Sequence, residues 1–334
     1  MPDRLEAALV GLGWWGRQIA KTLDRSERIH VGRVVDPDRE RAGPFADEHG
    51  LHLDADLARA LADPQVAAVI IATPHLLHEE QVVAAAEAGK HVFCEKPLAL
   101  QAAAARRMLE ACRTRGLVLG VGHERRFEPA MEEAGRMIES GELGRLLHIE
   151  CNWSHNYFAG SSASSWRQDP AQAPAGMLTA LGVHITDLFQ SMAGPVGEVR
   201  AIKTHRSAEF PTDDVLSVQL RFASGATGAM SHLATTPFYA RLSVFGDRGW
   251  LEIRETSNVD TPEDSLLTWR GVDEEIHTRR YAPTNQVGAN LDHWAAAALG
   301  AEDYRFTDDQ LIHNIEILEA IVRSSESGVT MKVG

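Results

Sequence analysis

From residue 5 to about 122 the chain alternates short apolar, β-branched runs with alanine-rich stretches long enough to form helices. LEAALVGLG, HVGRVVD, VAAVIIATP, HVFCEKP and LVLGVG are the strands this pattern predicts. Each is separated from the next by a helical stretch, so the segment predicts βαβ units with right-handed crossovers and a parallel sheet. In such a sheet, function concentrates at the edge where the strands end.

After Arg126 the texture changes. A helix is predicted at about 128–140, then a strand, LLHIECNWSH, then a Gly-, Ser-, Ala- and Pro-rich stretch, FAGSSASSWRQDPAQAPAG. A structureless loop of that length is either disordered or functional. The apolar spacing of GMLTALGVHITDLFQSMAG predicts one helix ending at Gly194, and VLSVQLRF, ATGAMSHLAT, ARLSVFG and GWLEIRE alternate as strands of an open antiparallel sheet. Helices at about 286–299 and 308–327 close the chain. The expected architecture is α/β: a doubly wound parallel domain over 1–123 and an α/β domain with a large antiparallel sheet over 124–334, the last helix free to pack back on the first domain.

Composition narrows the function. A chain of 334 residues is long for one core. Acidic residues outnumber Lys plus Arg by 47 to 33 with no long basic run, which argues against nucleic acid. The longest apolar runs, such as VAAVIIA at 66–72, fall short of the ~20 residues a bilayer span needs, so no membrane partner is expected. The N-terminus enters an apolar strand directly instead of reading as a signal peptide, and the three cysteines form no C-x-x-C pair. Both point to a cytoplasmic protein with free thiols.

Gly11, Gly13 and Gly16 in VGLGWWGRQIA stand at G-x-G-x-x-G spacing between a predicted strand and a predicted helix. Free backbone N–H groups and the positive helix end would face a pyrophosphate there. This identifies the first domain as a Rossmann-type dinucleotide site. About twenty residues on, Asp36 ends the second strand, where a carboxylate accepts the ribose hydroxyls of NAD and repels the 2′-phosphate of NADP. Arg39 and Arg41 lie close enough to weaken that preference. Trp14 and Trp15 start the helix about 100° apart, so they are expected to serve different ends, one beside the cofactor and one between domains.

Residues 71–97, IATPHLLHEEQVVAAAEAGKHVFCEKP, with VGHERRFEPAM, ESGELG, a G-x-H-x-x-D segment and RSSESG further on, resemble the Gfo/Idh/MocA oxidoreductases over the whole chain. Members oxidise or reduce sugars, inositols, other cyclic polyols and dihydrodiols with a nicotinamide cofactor. The resemblance implies that Lys96 of the EKP motif is catalytic, that the Lys96–Pro97 bond is cis and that His184 relays the proton. It also implies that Thr73, His75, His78 and Glu95 line the cofactor side, and that the chain forms a dimer or tetramer through the C-terminal sheet. Chemistry asks for such groups independently, since hydride cannot leave a carbinol carbon unless the oxygen loses a proton.

Helical spacing puts 180, 184 and 187 on one face. Many relatives carry an aspartate one turn before the histidine, whereas this chain has Ala180: either Lys96 and His184 suffice, which is the favoured reading, or another acid such as Glu124 or Asp187 takes over, or the chemistry is altered. Arg125, Trp166, Arg167 and Asp187, then Tyr157 and His155, are the expected substrate contacts. No metal-ligand spacing occurs. Two other readings stay open: a glycosidase of the same family that uses NAD transiently, and a redox-inert dinucleotide sensor like the galactose-pathway repressor of yeast.

Overall fold

The computed structural model describes residues 4–156, 166, 169–207, 212–257 and 261–334. They divide into two compact units, one of residues 1–124 with 285–312 and the other of 125–284 with 313–334.

The first unit is built on six parallel strands, β1 (Leu5–Val10), β2 (Ile29–Val35), β3 (His52–Asp54), β4 (Ala68–Ile71), β5 (His91–Cys94) and β6 (Leu119–Val121). Their order is β3-β2-β1-β4-β5-β6, so the winding reverses beside β1, where such sheets open a crevice at the strand ends. The crossovers carry α1 (Trp14–Leu23), α2 (Arg39–Glu48), α3 (Leu57–Ala62), α4 (His78–Glu87) and α5 (Ala102–Arg113). β4, AVII, is buried at all four positions, as a strand covered on both faces must be.

A late segment completes this core. In α8 (Gln286–Ala298), fully buried Trp294 meets Phe93 edge-on at 5.5 Å between ring centroids. A Cβ at Gly120 would lie 2.6 Å from the Trp294 ring, so the glycine makes room for the indole. Truncating a tryptophan so placed costs about 3–5 kcal/mol.

In the second unit, α6 (Pro129–Glu139) is followed by β7 (Leu146–Ser154), α7 (Gly182–Ala193), β8 (Val196–Thr204), β9 (Val215–Phe222) and β10 (Thr227–Leu233). Then come β11 (Tyr239–Gly246), β12 (Gly249–Glu255), β13 (Ser265–Gly271) and β14 (His277–Tyr281), and after α9 (Asp308–Ser327) a final β15 (Met331–Lys332). The nine strands form one sheet in the order β14-β13-β12-β11-β7-β10-β9-β8-β15. It is mostly antiparallel, as expected, but β7 and β10 run parallel at its centre. Val199, Leu216, Met230, Cys151 and Leu242 belong to the core that includes residues of α6, α7 and α9. Register puts Ile202, Ser217, Ser231, Asn152 and Arg241 on the other face.

Two expectations need correction. The sequence reads 176–194 as one helix, but a short 3₁₀ turn at Gly176–Leu178 is followed by a break, and α7 begins only at Gly182. The start of the stretch is left-handed, with φ of 55° at Ala175 and 60° at Gly176, where a Cβ would also meet Asp213 O at 2.1 Å, so no α-helix begins at 176. Strands β3, β8, β13, β14 and β15 were not read from the sequence, being short, at edges or weakly apolar.

The three cysteines are free and buried, and burial pushes each thiol up, Cys112 to about 12. Among the described residues no helix is long and apolar enough to cross a membrane.

Candidate active site

The turn between β1 and α1 has the form of a phosphate cradle. Gly11 takes φ of 93°, and a Cβ there would lie 2.8 Å from Ala72 O. A Cβ at Gly16 would lie 1.9 Å from Gly11 O, so no other residue lets the helix approach the strand so closely. Gly13 differs: a Cβ there would meet nothing nearer than Arg41 Nη1 at 4.0 Å. Space is therefore open where a pyrophosphate would approach. Gly13 is the N-cap of α1, no side chain caps that end and its first turn carries no acid, leaving the positive helix end to an anion. These residues fit a dinucleotide.

Asp36, at the end of β2, is buried and ties the cradle together. Its Oδ2 accepts the Leu12 N–H at 2.8 Å and its Oδ1 accepts the Asp38 N–H at 2.9 Å. Arg41 Nη2 donates to both oxygens, at 3.1 and 2.9 Å, from a half-exposed side chain. The carboxylate is thus partly neutralised by a cation that also borders Gly13.

The two tryptophans are unlike. Trp14 is 57% exposed, whereas Trp15 packs against the core of the first unit, its ring centroid 5.6 Å from that of Trp14. The Trp15 indole N–H is buried and falls short of full hydrogen-bond geometry, yet it acts on the Glu95 carboxyl.

In the loop after β4, Thr73 Oγ1 donates to Gln81 Oε1 at 2.6 Å, and His75 opens a 3₁₀ turn. His78 was expected to line the cofactor side, but it is fully buried. Its Nδ1 lies 3.0 Å from Pro97 O and its Nε2 3.0 Å from Thr73 O, making the ring a strut between the two segments. Burial lowers its pKa against the pull of these carbonyls, and a neutral ring donates to only one of them.

β5 delivers the EKP segment to the same edge. Cys94 pairs with Val121, and Gly122 N donates to Cys94 O at 3.0 Å, so Glu95 emerges opposite Gly122. A Cβ at Gly122 would lie 2.5 Å from Glu95 Oε2; the glycine leaves a notch that the carboxyl fills. The Lys96 backbone N–H donates to Glu95 Oε2 at 3.2 Å, and the Lys96–Pro97 bond is cis, as the resemblance implies. Burial, then the charge of Glu124, push Glu95 up to about 7, while Lys96 and the two N–H groups pull the other way.

In the second unit, His184 lies buried on α7 with Asp187 one turn on. Ala180 lies in the turn before α7, so the helical-face argument reaches only His184 and Asp187. Both Asp187 oxygens are engaged by the Arg126 fork, Oδ2 by Nε at 2.7 Å and Oδ1 by Nη2 at 2.6 Å. Arg125 is also internal: Nη1 meets Glu128 at 3.2 Å and Glu255 at 2.8 Å, and the guanidinium sits 3.6 Å over the Trp153 ring. Burial and then Glu255 push Glu128 well above the usual carboxylate range, with Arg125 opposing. Asp187 and Arg125 were expected to bond substrate hydroxyls; in the structure both are buried, Asp187 against Arg126 and Arg125 against Glu128 and Glu255.

His155 is half-buried beside Phe238, ring centroids 6.0 Å apart, and Trp166 is half-buried with its carbonyl accepting the Asp169 N–H at 3.1 Å. Tyr157 and Arg167 lie outside the described residues. Arg126, Glu128, Glu255 and the Gly122 notch escaped the sequence reading. HERRFE gave no means of telling its two arginines apart, and Glu255 is 130 residues from Arg125. Among the described residues, no group of three His, Cys, Asp or Glu side chains could hold a metal ion.

The chain is similar to known proteins over most of its length. The family model described as the oxidoreductase family with an NAD-binding Rossmann fold, Gfo/Idh/MocA, matches residues 5–123, and that family's C-terminal domain model matches 131–252. The 1,5-anhydro-D-fructose reductase of Ensifer adhaerens is 31% identical over 233 residues, 69% of this chain and 69% of that protein. The D-xylose 1-dehydrogenase (NADP(+)) 2 of Haloferax volcanii is 29% identical over 318 residues, 95% of this chain and 96% of that one. Among solved structures, the aldose-aldose oxidoreductase of Caulobacter crescentus complexed with glycerol gives a TM-score of 0.87 at 26% identity, covering 98% of this chain and 99% of that one.

Proposed function

The chain belongs to the Gfo/Idh/MocA oxidoreductase family, and we propose that it moves hydride between a nicotinamide cofactor and a hydroxyl or keto carbon of a sugar derivative, cyclic polyol or dihydrodiol. The observation that carries this is the shared edge of the first unit's sheet. There the open end of the glycine turn, Asp36 and Lys96 all follow strand ends, so one ligand can run from phosphate cradle to lysine. The names of the relatives, which concern aldoses, a pentose and an anhydro sugar, support the substrate class.

The nicotinamide supplies the hydride acceptor or donor. Lys96 holds or takes the proton of the substrate oxygen, and His184 passes it to solvent. With Asp187 bound by Arg126 and Arg125 bound by Glu128 and Glu255, those two acts fall to Lys96 and His184 without an added acid from α7. Substrate is proposed to meet Trp166, Arg167, Tyr157 and His155, while Arg125 and Asp187 hold the framework. Gly11, Gly13, Gly16, Trp14, Trp15, Asp36, Thr73, His75 and Glu95 are proposed to hold the cofactor, with His78 positioning the loop from behind.

NAD is favoured over NADP, because a carboxylate at the end of β2, as Asp36 supplies, would accept ribose hydroxyls and repel a 2′-phosphate; Arg41 tempers that preference. We place the protein in the cytoplasm as a dimer or tetramer. Exposed Ile202, Tyr239 and Phe245 on the uncovered sheet face support such an assembly.

Purified protein is to be offered NAD and then NADP against sugars, anhydro sugars, polyols, dihydrodiols and aryl glycosides. The expected outcome is substrate-dependent formation of reduced nicotinamide, faster with NAD. Glycoside release without net cofactor reduction, or binding without turnover, would overturn the proposal.

A further inference from the structure

We propose that Glu95 and Glu124 act as a coupled pair of positioning residues that governs proton exchange at Lys96, filling the place of the acid that Ala180 lacks. This rests on the oxidoreductase reading above. The pairing β5–β6 brings the two carboxyls to one sheet edge: Cys94 faces Val121, so Glu95 leaves β5 opposite Gly122, with Glu124 two residues further. Both acids are buried. The missing side chain at Gly122 is what admits the Glu95 carboxyl, and the Lys96 N–H fixes one of its oxygens at 3.2 Å.

The groups whose charge or hydrogen bonding acts on Glu95 come from three elements. They are Glu124 from the segment after β6, Lys96 and Cys94 at the end of β5, and the indole N–H of Trp15 from α1. Cys94 is fully buried and its thiol is pushed up, so it stays neutral. Burial is the largest push toward the protonated acid, Glu124 adds to it, and Lys96 with the two N–H groups favours the carboxylate. Glu95 is pushed up to about 7, which lets it accept and release a proton near neutrality.

In the oxidation direction the substrate O–H bond breaks and its proton forms an N–H bond on neutral Lys96. The C–H electron pair leaves as hydride to the oxidised nicotinamide, so the substrate carbon is oxidised and the cofactor reduced. Lys96 then gives the proton to the Glu95 carboxylate, the N–H bond breaking as the O–H bond forms, and Glu95 hands it on to the exit to solvent assigned above to His184. Glu124 tunes the step by making the carboxylate a better acceptor.

The test follows the side-chain carboxyl carbons of isotope-labelled glutamate by NMR across pH, in the protein without substrate, for wild type, Glu95→Gln and Glu124→Gln. One carboxyl is expected to titrate near neutrality, to vanish in Glu95→Gln and to move down by about one pH unit or more in Glu124→Gln, where its like-charged neighbour is gone. The acidic limb of kcat for alcohol oxidation is expected to move down with it. A carboxyl titrating in the ordinary range in wild type, or a midpoint unmoved in Glu124→Gln, would overturn the proposal. So would a kinetic limb that stays fixed while the carboxyl moves. Should Glu95→Gln fail to fold, the Glu124→Gln shift decides by itself. A carboxyl that titrates as expected in a protein that reduces no cofactor with any substrate sinks the oxidoreductase reading instead, so the two failures are distinguishable.

Discussion

Glu95 with Glu124 in the first unit and Glu128 with Glu255 in the second are both pairs of acids withdrawn from water, and each unit handles its pair differently. The second clamps its pair with a cation: Arg125 reaches both carboxyls and is itself stacked on Trp153. The first admits Glu95 through a missing side chain at Gly122 and sets it beside backbone and indole N–H groups next to Lys96. A carboxyl pair stapled by an arginine holds a core in register. One balanced between a like charge and a lysine is left responsive to protons. The same residue type therefore serves scaffold in one unit and chemistry in the other, and the surroundings decide which.

Removing the staple should give the largest effect on stability. Arg125→Leu leaves two buried acids uncompensated, and unfolding in denaturant is expected to show a loss of about 3–5 kcal/mol. A loss below about 1 kcal/mol would mean that the cluster is wetter than its burial implies.

Next comes the pH dependence of stability. Glu95 has its folded pKa raised from 4.5 to about 7, so between those values the folded state holds a proton that the unfolded state has released. That binding supports the fold below about 4.5 and its contribution is lost as pH rises through about 7. Glu128 shifts in the same direction, so Glu95 and Glu128 both make the protein less stable toward the alkaline side. Thermal midpoints measured across it should fall with rising pH in wild type and fall less in Glu95→Gln. Equal slopes would show that Glu95 titrates normally.

The smallest effect concerns the cofactor. Arg41→Ala removes the cation over Asp36 and is expected to raise the NAD-to-NADP ratio of kcat/KM by roughly tenfold, or about 1.4 kcal/mol. A ratio that does not move would place the adenosine ribose away from this pair.

Much of this was legible before any coordinates. β1, β4, β5 and β6 announce themselves because strands buried on both faces are written as apolar runs, and the glycines of the first turn carry a steric requirement visible in their spacing. The EKP segment likewise marked Lys96. What the sequence could not convey is partnership over distance. Trp294 completes the first unit's core from far along the chain, and Glu255 decides whether Arg125 faces inward. Spacing also ran 176–194 together, because a left-handed backbone at Gly176 leaves no trace in an apolar pattern. The two arginines of HERRF look equivalent as letters, and only their partners separate them, Asp187 for Arg126 and Glu255 for Arg125.

The central claim is that Lys96 handles the substrate proton at the end of a nicotinamide-binding cradle. Steady-state reduction of NAD by the best substrate, measured in wild type and Lys96→Ala at saturating cofactor, tests it most directly. The account expects kcat to fall by about 10²–10⁴-fold with cofactor binding preserved. A Lys96→Ala rate within a few-fold of wild type would contradict it.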